Sequence, residues 1–328
     1  MPLFGPAWKT GDSITVIFKA KGMGYMMVDL KTILKNKAIN GWGLFWLVST
    51  PISAIIAYET MITDLSGGEG VSHMIGFSVR FAIPFIFLVV AGSSVQTLFP
   101  GAFASWWLRN RKYIGLCFAS AMVWQGVFIY SVSTFYRDYY YGDIYLFRDE
   151  LEGSVGYIFL ASMVVTSFHF GRKYITLAQW KLIHKAGIYF LFAYPFSVYW
   201  WNLFYYPTLE PFNDPRLLDY IFYWMGFIAF TLRIAAWGKK RLKAASKNTP
   251  EATTPLALKA LGSILIVAGL VVSATGLHWQ KAASGFIESY EFSAEMILWL
   301  PYWPLEPFLS LFILGLGTLL ATKVRGSA

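Results

Sequence analysis

Residues 74–99 read MIGFSVRFAIPFIFLVVAGSSVQTLF, and Arg80 is the one charged side chain among them. A helix rises about 1.5 Å per residue and the hydrocarbon core of a bilayer is about 30 Å thick, so about 20 mostly apolar residues cross it. This stretch is long enough to do so. Its interior Pro84 is tolerable because neighbouring helices meet a freed carbonyl. Seven further stretches read the same way: residues 41–59 before it, then 113–134, 155–170, 186–206, 218–237, 258–277 and 304–322. The predicted fold class is therefore all-α, a polytopic transmembrane bundle of about eight helices.

Composition agrees. Hydrophobic residues make up 56% of the 328, aromatics 19% and charged residues 14%, with mean hydropathy +0.50. A soluble domain carries about 25% charged residues. The 14 Trp, 20 Tyr and 28 Phe suit interfacial aromatic belts. The net charge of +9 is explained by placement rather than by nucleic acid, for which no element is visible. The basic residues fall at 9–37, 109–112, 172–185, 233–259 and 323–325, on one side of the alternating loops; the other side holds only Arg137, Arg148, Arg216 and Lys281. Acidic residues from Glu59 to Glu306 concentrate on that second side. Cytoplasmic loops attract Lys and Arg, so both termini are expected inside. No secretory leader is expected from Met1 to Thr10, and the single Cys117 excludes disulfides and cysteine-based metal sites within the chain.

Four domains follow. Residues 1–40 form a cytoplasmic segment in which Met26, Met27, Leu30, Ile33 and Leu34 fall at helical spacing among lysines, predicting an interfacial amphipathic helix over residues 22–40 or one that docks a partner. Residues 41–237 form a six-helix core, 238–256 a cytoplasmic loop, and 257–328 two additional transmembrane helices.

Candidate chemistry is sparse. There is no phosphate-binding glycine loop, no H-E-x-x-H and no dinucleotide fingerprint, and four scattered histidines cannot make a di-iron box. No protein metal site is expected. His169 and His184 lie near the inner face, His73 and His278 near the outer. Arg80, inside the second span, needs a carboxylate, carbonyls, a lipid phosphate or a cofactor acid group as its partner.

Two segments carry a family resemblance. One is Trp107-Leu108-Arg109-Asn110-Arg111-Lys112-Tyr113-Ile114-Gly115-Leu116, leading into the third span. The other is Gly171-Arg172-Lys173-Tyr174-Ile175, then Trp180-Lys181-Leu182-Ile183-His184-Lys185-Ala186-Gly187-Ile188-Tyr189, with Thr166 and Ser167 upstream. Together these resemble the ferric reductase-like transmembrane domain, which includes the haem-binding membrane subunit of the methionine sulfoxide reductase system. The resemblance implies a six-helix core and transmembrane electron transfer through haem b, held by pairs of imidazoles. It places His184 on a retained ligand position and puts Gln125 and Ser197 where the family has histidines. An inner-half haem would pair His184 with His169, a position the family does not normally use; separately, Arg80, near the outer end of the second span, is a candidate cofactor anchor such as a haem propionate clamp.

Two functions follow: an electron-transfer subunit working with a quinol or a flavoprotein redox partner, or a non-catalytic, haem-depleted accessory subunit of a larger membrane complex. A transporter ranks below both, because the mid-helix positions hold almost no charge. Enzyme class is left open. The expected location is a bacterial cytoplasmic (inner) membrane.

Overall fold

A computed structural model of the chain describes residues 8–10, 13–18, 26–209, 214–248, 253–300, 302–303 and 305–324; side chains are described from residue 30 onward, 248 and 297–299 excepted. From Leu30 on, every described element is helical. The principal helices are α1 (Trp42–Ile62), α2 (Gly68–Leu98), α3 (Ala102–Phe135), α4 (Phe147–Thr166), α5 (Leu177–Phe204), α6 (Leu217–Asn248), α7 (Leu256–Ala274), α8 (Gly276–Glu288), α9 (Phe292–Trp299) and α10 (Leu309–Ala321).

Among the described residues, five helices are long and apolar enough to cross a membrane: α1, α2, α3, α6 and α7. The fourth and fifth stretches also form long helices. However, α4 opens on Phe-Arg-Asp-Glu-Leu-Glu, and α5 is rich in Trp and Tyr, whose polar tips lower its apolar character.

The last stretch differs from expectation. Residues 305–322 do not form one continuous helix: Leu305 sits at φ +71° and Glu306–Phe308 is a 3-10 turn containing Pro307, so the regular helix α10 begins only at Leu309. Its 13 residues rise about 20 Å, short of a 30 Å core. The segment before it carries α8 and α9, where the sequence had suggested only a connection.

The amphipathic helix expected over residues 22–40 is a second correction. Met26–Asp29 is strand β3, paired antiparallel with β2 (Ser13–Phe18) in the register Phe18↔Met26 to Thr15↔Asp29; β1 (Trp8–Thr10) pairs on the other side of β2. Among the described residues of this stretch only Leu30–Ile33 is α-helical, with Lys37–Ile39 a 3-10 turn; residues 22–25 lie outside the described residues. Helical spacing in the sequence lost to a β-branched partner: Ile14-Thr15-Val16-Ile17 in β2 offers a strand edge that takes up the backbone groups of β3. Beyond it, Leu34 is buried and its carbonyl accepts from Asn40 (2.9 Å) and Arg109 (3.2 Å), so this segment docks onto α3.

Gly41, at φ +61°, turns the chain into α1 while its N–H donates to Asn110 Oδ1 at 2.9 Å. This backbone conformation suits glycine. At the other side of the core, Thr176 and Gln179 form a reciprocal capping box that starts α5.

α2 lies at the centre, packed on α3 and α6. An aromatic core joins Phe87, Phe192, Phe196, Trp200 and Tyr223, with centroid separations of 5.3 Å for Phe192–Phe196 and 5.6 Å for Phe196–Tyr223. Where lipid is the solvent, burial supplies little drive between helices, and packing and interhelical hydrogen bonds hold them. Tyr223 Oη donates to Ser273 O (2.7 Å) between α6 and α7, and Trp124 donates to Ser53 (3.1 Å) between α3 and α1. Small residues let α7 and α10 touch. A Cβ on Gly262 would lie 2.6 Å from Gly317 O, whereas one on Gly315 meets nothing within 4 Å. By contrast, only 11% of the apolar window of α1 and 17% of that of α7 is buried, and Trp46, Ile55, Ile264 and Val267 point outward. Such faces need an apolar surrounding.

Candidate functional site

The five residues singled out by sequence do not converge. His184 lies against Trp180, with ring centroids 4.4 Å apart, and its Nε2 is 3.1 Å from Thr166 Oγ1. Thr166 has one hydroxyl hydrogen, and it donates that hydrogen to Ser162 O at 2.6 Å. The remaining interaction is then Nε2–H donating to Thr166, which occupies the nitrogen that haem ligation needs as a lone pair. Trp180 Nε1 donates to Thr166 O (3.2 Å), so the whole group ties the end of α4 to the start of α5. His169 is exposed; among the described residues its side chain makes no hydrogen bond, ion pair or ring contact, to His184 or to any other group. Arg80 is half-buried and has no ion pair among the described residues.

Gln125 and Ser197 are engaged as well. Tyr157 Oη on α4 donates to Gln125 Oε1 (3.1 Å) and to Met122 O (3.0 Å). Ser197 is buried and donates to Tyr194 O one turn back at 2.9 Å. An amide oxygen already accepting and a hydroxyl already donating are not axial ligands for haem iron. The haem positions that the resemblance implies therefore do not fit a b-type haem in this chain.

A cavity of about 510 Å³ lies beside these positions, bounded by α2, α3, α4, α5 and the 140–146 turn. Its deep walls are apolar: Val79, Ile83, Phe118, Met122 and Leu191, with Gln125 and Tyr157 set into them. Two glycines open it, since a Cβ on Gly76 or Gly153 would meet nothing within 4 Å. Its outer rim is acidic, with Asp149, Glu150 and Glu152 from the first turns of α4, and Tyr194 presents a ring 41% accessible into it. Such volume and lining fall within the range of small-molecule sites.

Sequence reasoning missed the latch at this rim. Tyr302 stands at φ +62°, and its backbone N–H donates to Glu152 Oε1 at 2.9 Å while its hydroxyl donates to Phe190 O at 3.1 Å. A non-glycine residue in the left-handed region is uncommon and persists only where its surroundings hold it. Here the carboxylate, the Phe190 carbonyl and the Phe190 ring at 5.4 Å hold it. Glu152 is itself buried, just before the apolar stretch that begins at Val155, with Arg148 4.0 Å away. Burial raises its carboxyl above the usual range, opposed by the Tyr302 hydrogen bond and by Arg148. The only advance sign of this opening was the Gly153/Gly156 pair, and nothing in the sequence pointed to Tyr302.

Among the described residues no group of three or more His, Cys, Asp or Glu is placed to hold a metal ion. No family model, curated protein or solved structure matches the chain.

Proposed function

We propose that this chain is an integral membrane protein that uses a ferric reductase-like bundle without haem, and that its outer-half cavity binds an amphipathic small molecule. The cavity carries the reading: apolar walls around Gln125 and Tyr157, and a carboxylate rim at Asp149, Glu150 and Glu152. That lining suits a ligand with an apolar body and a hydrogen-bond-donating or cationic head. About eight membrane-crossing segments, both termini on the cytoplasmic side of a bacterial inner membrane, and a place as a non-catalytic subunit beside other membrane chains complete the proposal. The basic bias of one set of loops supports the orientation. The exposed apolar faces of α1 and α7 support contact with lipid.

The competing reading is electron transfer through haem b to a redox partner, resting on the two motif-bearing segments and His184. It requires His184 Nε2 to leave Thr166 and a second ligand to come from elsewhere. The absorption spectrum of protein purified from haem-supplemented cells separates the two. We expect no Soret band. A stoichiometric Soret band that disappears in His184→Ala overturns the haem-free reading.

A further inference from the structure

At the basic end of the bundle, side chains from two helices seize successive carbonyls of α2. Trp107 Nε1 donates to Leu88 O (3.1 Å), Arg111 Nε to Val89 O (2.9 Å) and Arg233 Nη1 to Val90 O (3.4 Å). Gly92 makes room for this: a Cβ there would lie 3.4 Å from the Trp107 ring and 3.8 Å from Arg111 Cδ. Arg233 is further fixed by Tyr189, donating from Nε to its hydroxyl at 2.8 Å and lying 4.8 Å from its ring centroid. The two guanidiniums thus reach consecutive carbonyls of one helix.

Two observations about this pair are unbalanced. First, a guanidinium carries five N–H donors. Arg111 spends one and Arg233 two on protein acceptors among the described residues, leaving most of both forks unmet. Second, no carboxylate answers them. Every ion pair among the described residues involves Glu59, Asp149 or Glu152, at the acidic end. Two half-buried like charges held by carbonyls and a phenol, with donors to spare, suit a multivalent anion. Arginine forks match the oxygens of phosphate in particular.

We infer that Arg111 and Arg233 form a binding site for a phosphate group, presented by the headgroup of an anionic phospholipid or by a soluble phosphate. Arg233 lies about 9 Å along α6 from Lys239, the first of the lysines toward the end of that helix, at headgroup depth. Basic pockets between helices at this level take acidic headgroups, which favours the lipid source. The site is at the opposite end of the bundle from the cavity and does not depend on it.

The test uses the full-length protein, delipidated in mild detergent. Native mass spectrometry reads retention of phosphatidylglycerol against phosphatidylcholine, and thermal unfolding reads added inorganic phosphate. Wild type is expected to keep one phosphatidylglycerol in preference to phosphatidylcholine. Arg111→Gln and Arg233→Gln are each expected to weaken that retention about tenfold or more, while Lys243→Gln leaves it unchanged. Stabilisation by inorganic phosphate with the same two-arginine dependence supports the site with a soluble ligand as its source. If a glutamine variant fails to fold, Arg111→Lys and Arg233→Lys replace it, with a smaller loss expected because charge stays while the fork is lost. Wild type that shows no preference for either phosphate source overturns the inference, as does a Lys243→Gln loss equal to that of the arginine variants.

Discussion

Replacing Glu152 by alanine and by glutamine separates the hydrogen bond at the cavity rim from the charge that makes it. In the folded chain the Glu152 carboxylate is the acceptor for the Tyr302 N–H at 2.9 Å, and Tyr302 is buried in a left-handed conformation. Alanine removes a hydrogen bond to a charged group, worth about 1.5–3 kcal/mol, and leaves a buried N–H without an acceptor. A loss of about 2–3 kcal/mol corresponds to a Tm lower by ~5 °C for a chain of this size. Glutamine keeps an oxygen for Tyr302 and discards a charge whose burial is the largest influence on its protonation, so Glu152→Gln is expected to match or exceed wild type at neutral pH.

The pH dependence has a definite sign. Because the folded-state pKa is raised, the folded chain holds the proton more readily than the unfolded one. Stability is therefore greatest below the ordinary value of 4.5 and declines as pH rises through the raised one. The difference between wild type and Glu152→Gln should show that decline. Cys117, the only cysteine and buried, provides the assay: a thiol-reactive dye reports unfolding at a single site. If Glu152→Ala unfolds within 1 °C of wild type, or glutamine is as damaging as alanine, the latch does not work as described.

Three further outcomes are expected. Gly262→Ala places a methyl 2.5 Å from Ala321 N, against backbone that can yield only by moving α10, and should cost about 1–3 kcal/mol; Gly315→Ala, with open space, should be neutral or stabilising by up to about 1 kcal/mol in the same unfolding assay. Gly76→Leu should fill the cavity, raise Tm through better helix propensity, and remove any small molecule that mass spectrometry finds co-purifying with wild type. His184→Gln should lose about 1 kcal/mol through its Thr166 contact and leave the visible spectrum unchanged.

The helices were legible wherever local chemistry decides. Residues 74–98 became part of α2, and the stretch that Gly41 caps became α1. The Thr176–Gln179 capping box at the start of α5 came only from the structure. Local reading failed where two segments compete for the same backbone. Met26–Asp29 went to β2 despite its helical spacing, and Leu305 and Pro307 cut the last apolar stretch short. At the site, His184 was identified for its residue type, yet its role depends on where Thr166 aims its hydrogen, which no spacing encodes.

By itself, then, the sequence determined which stretches are apolar enough for lipid and on which side of them the basic residues lie, because transfer free energy sums over neighbouring residues and needs no knowledge of contacts. Tertiary structure alone decided that Tyr302 would close on Glu152, that Gln125 would face a cavity, and that Arg111 and Arg233 would share one helix of carbonyls. Each of these depends on the rotation and depth of helices far apart in the chain, and those are set by side-chain packing between them.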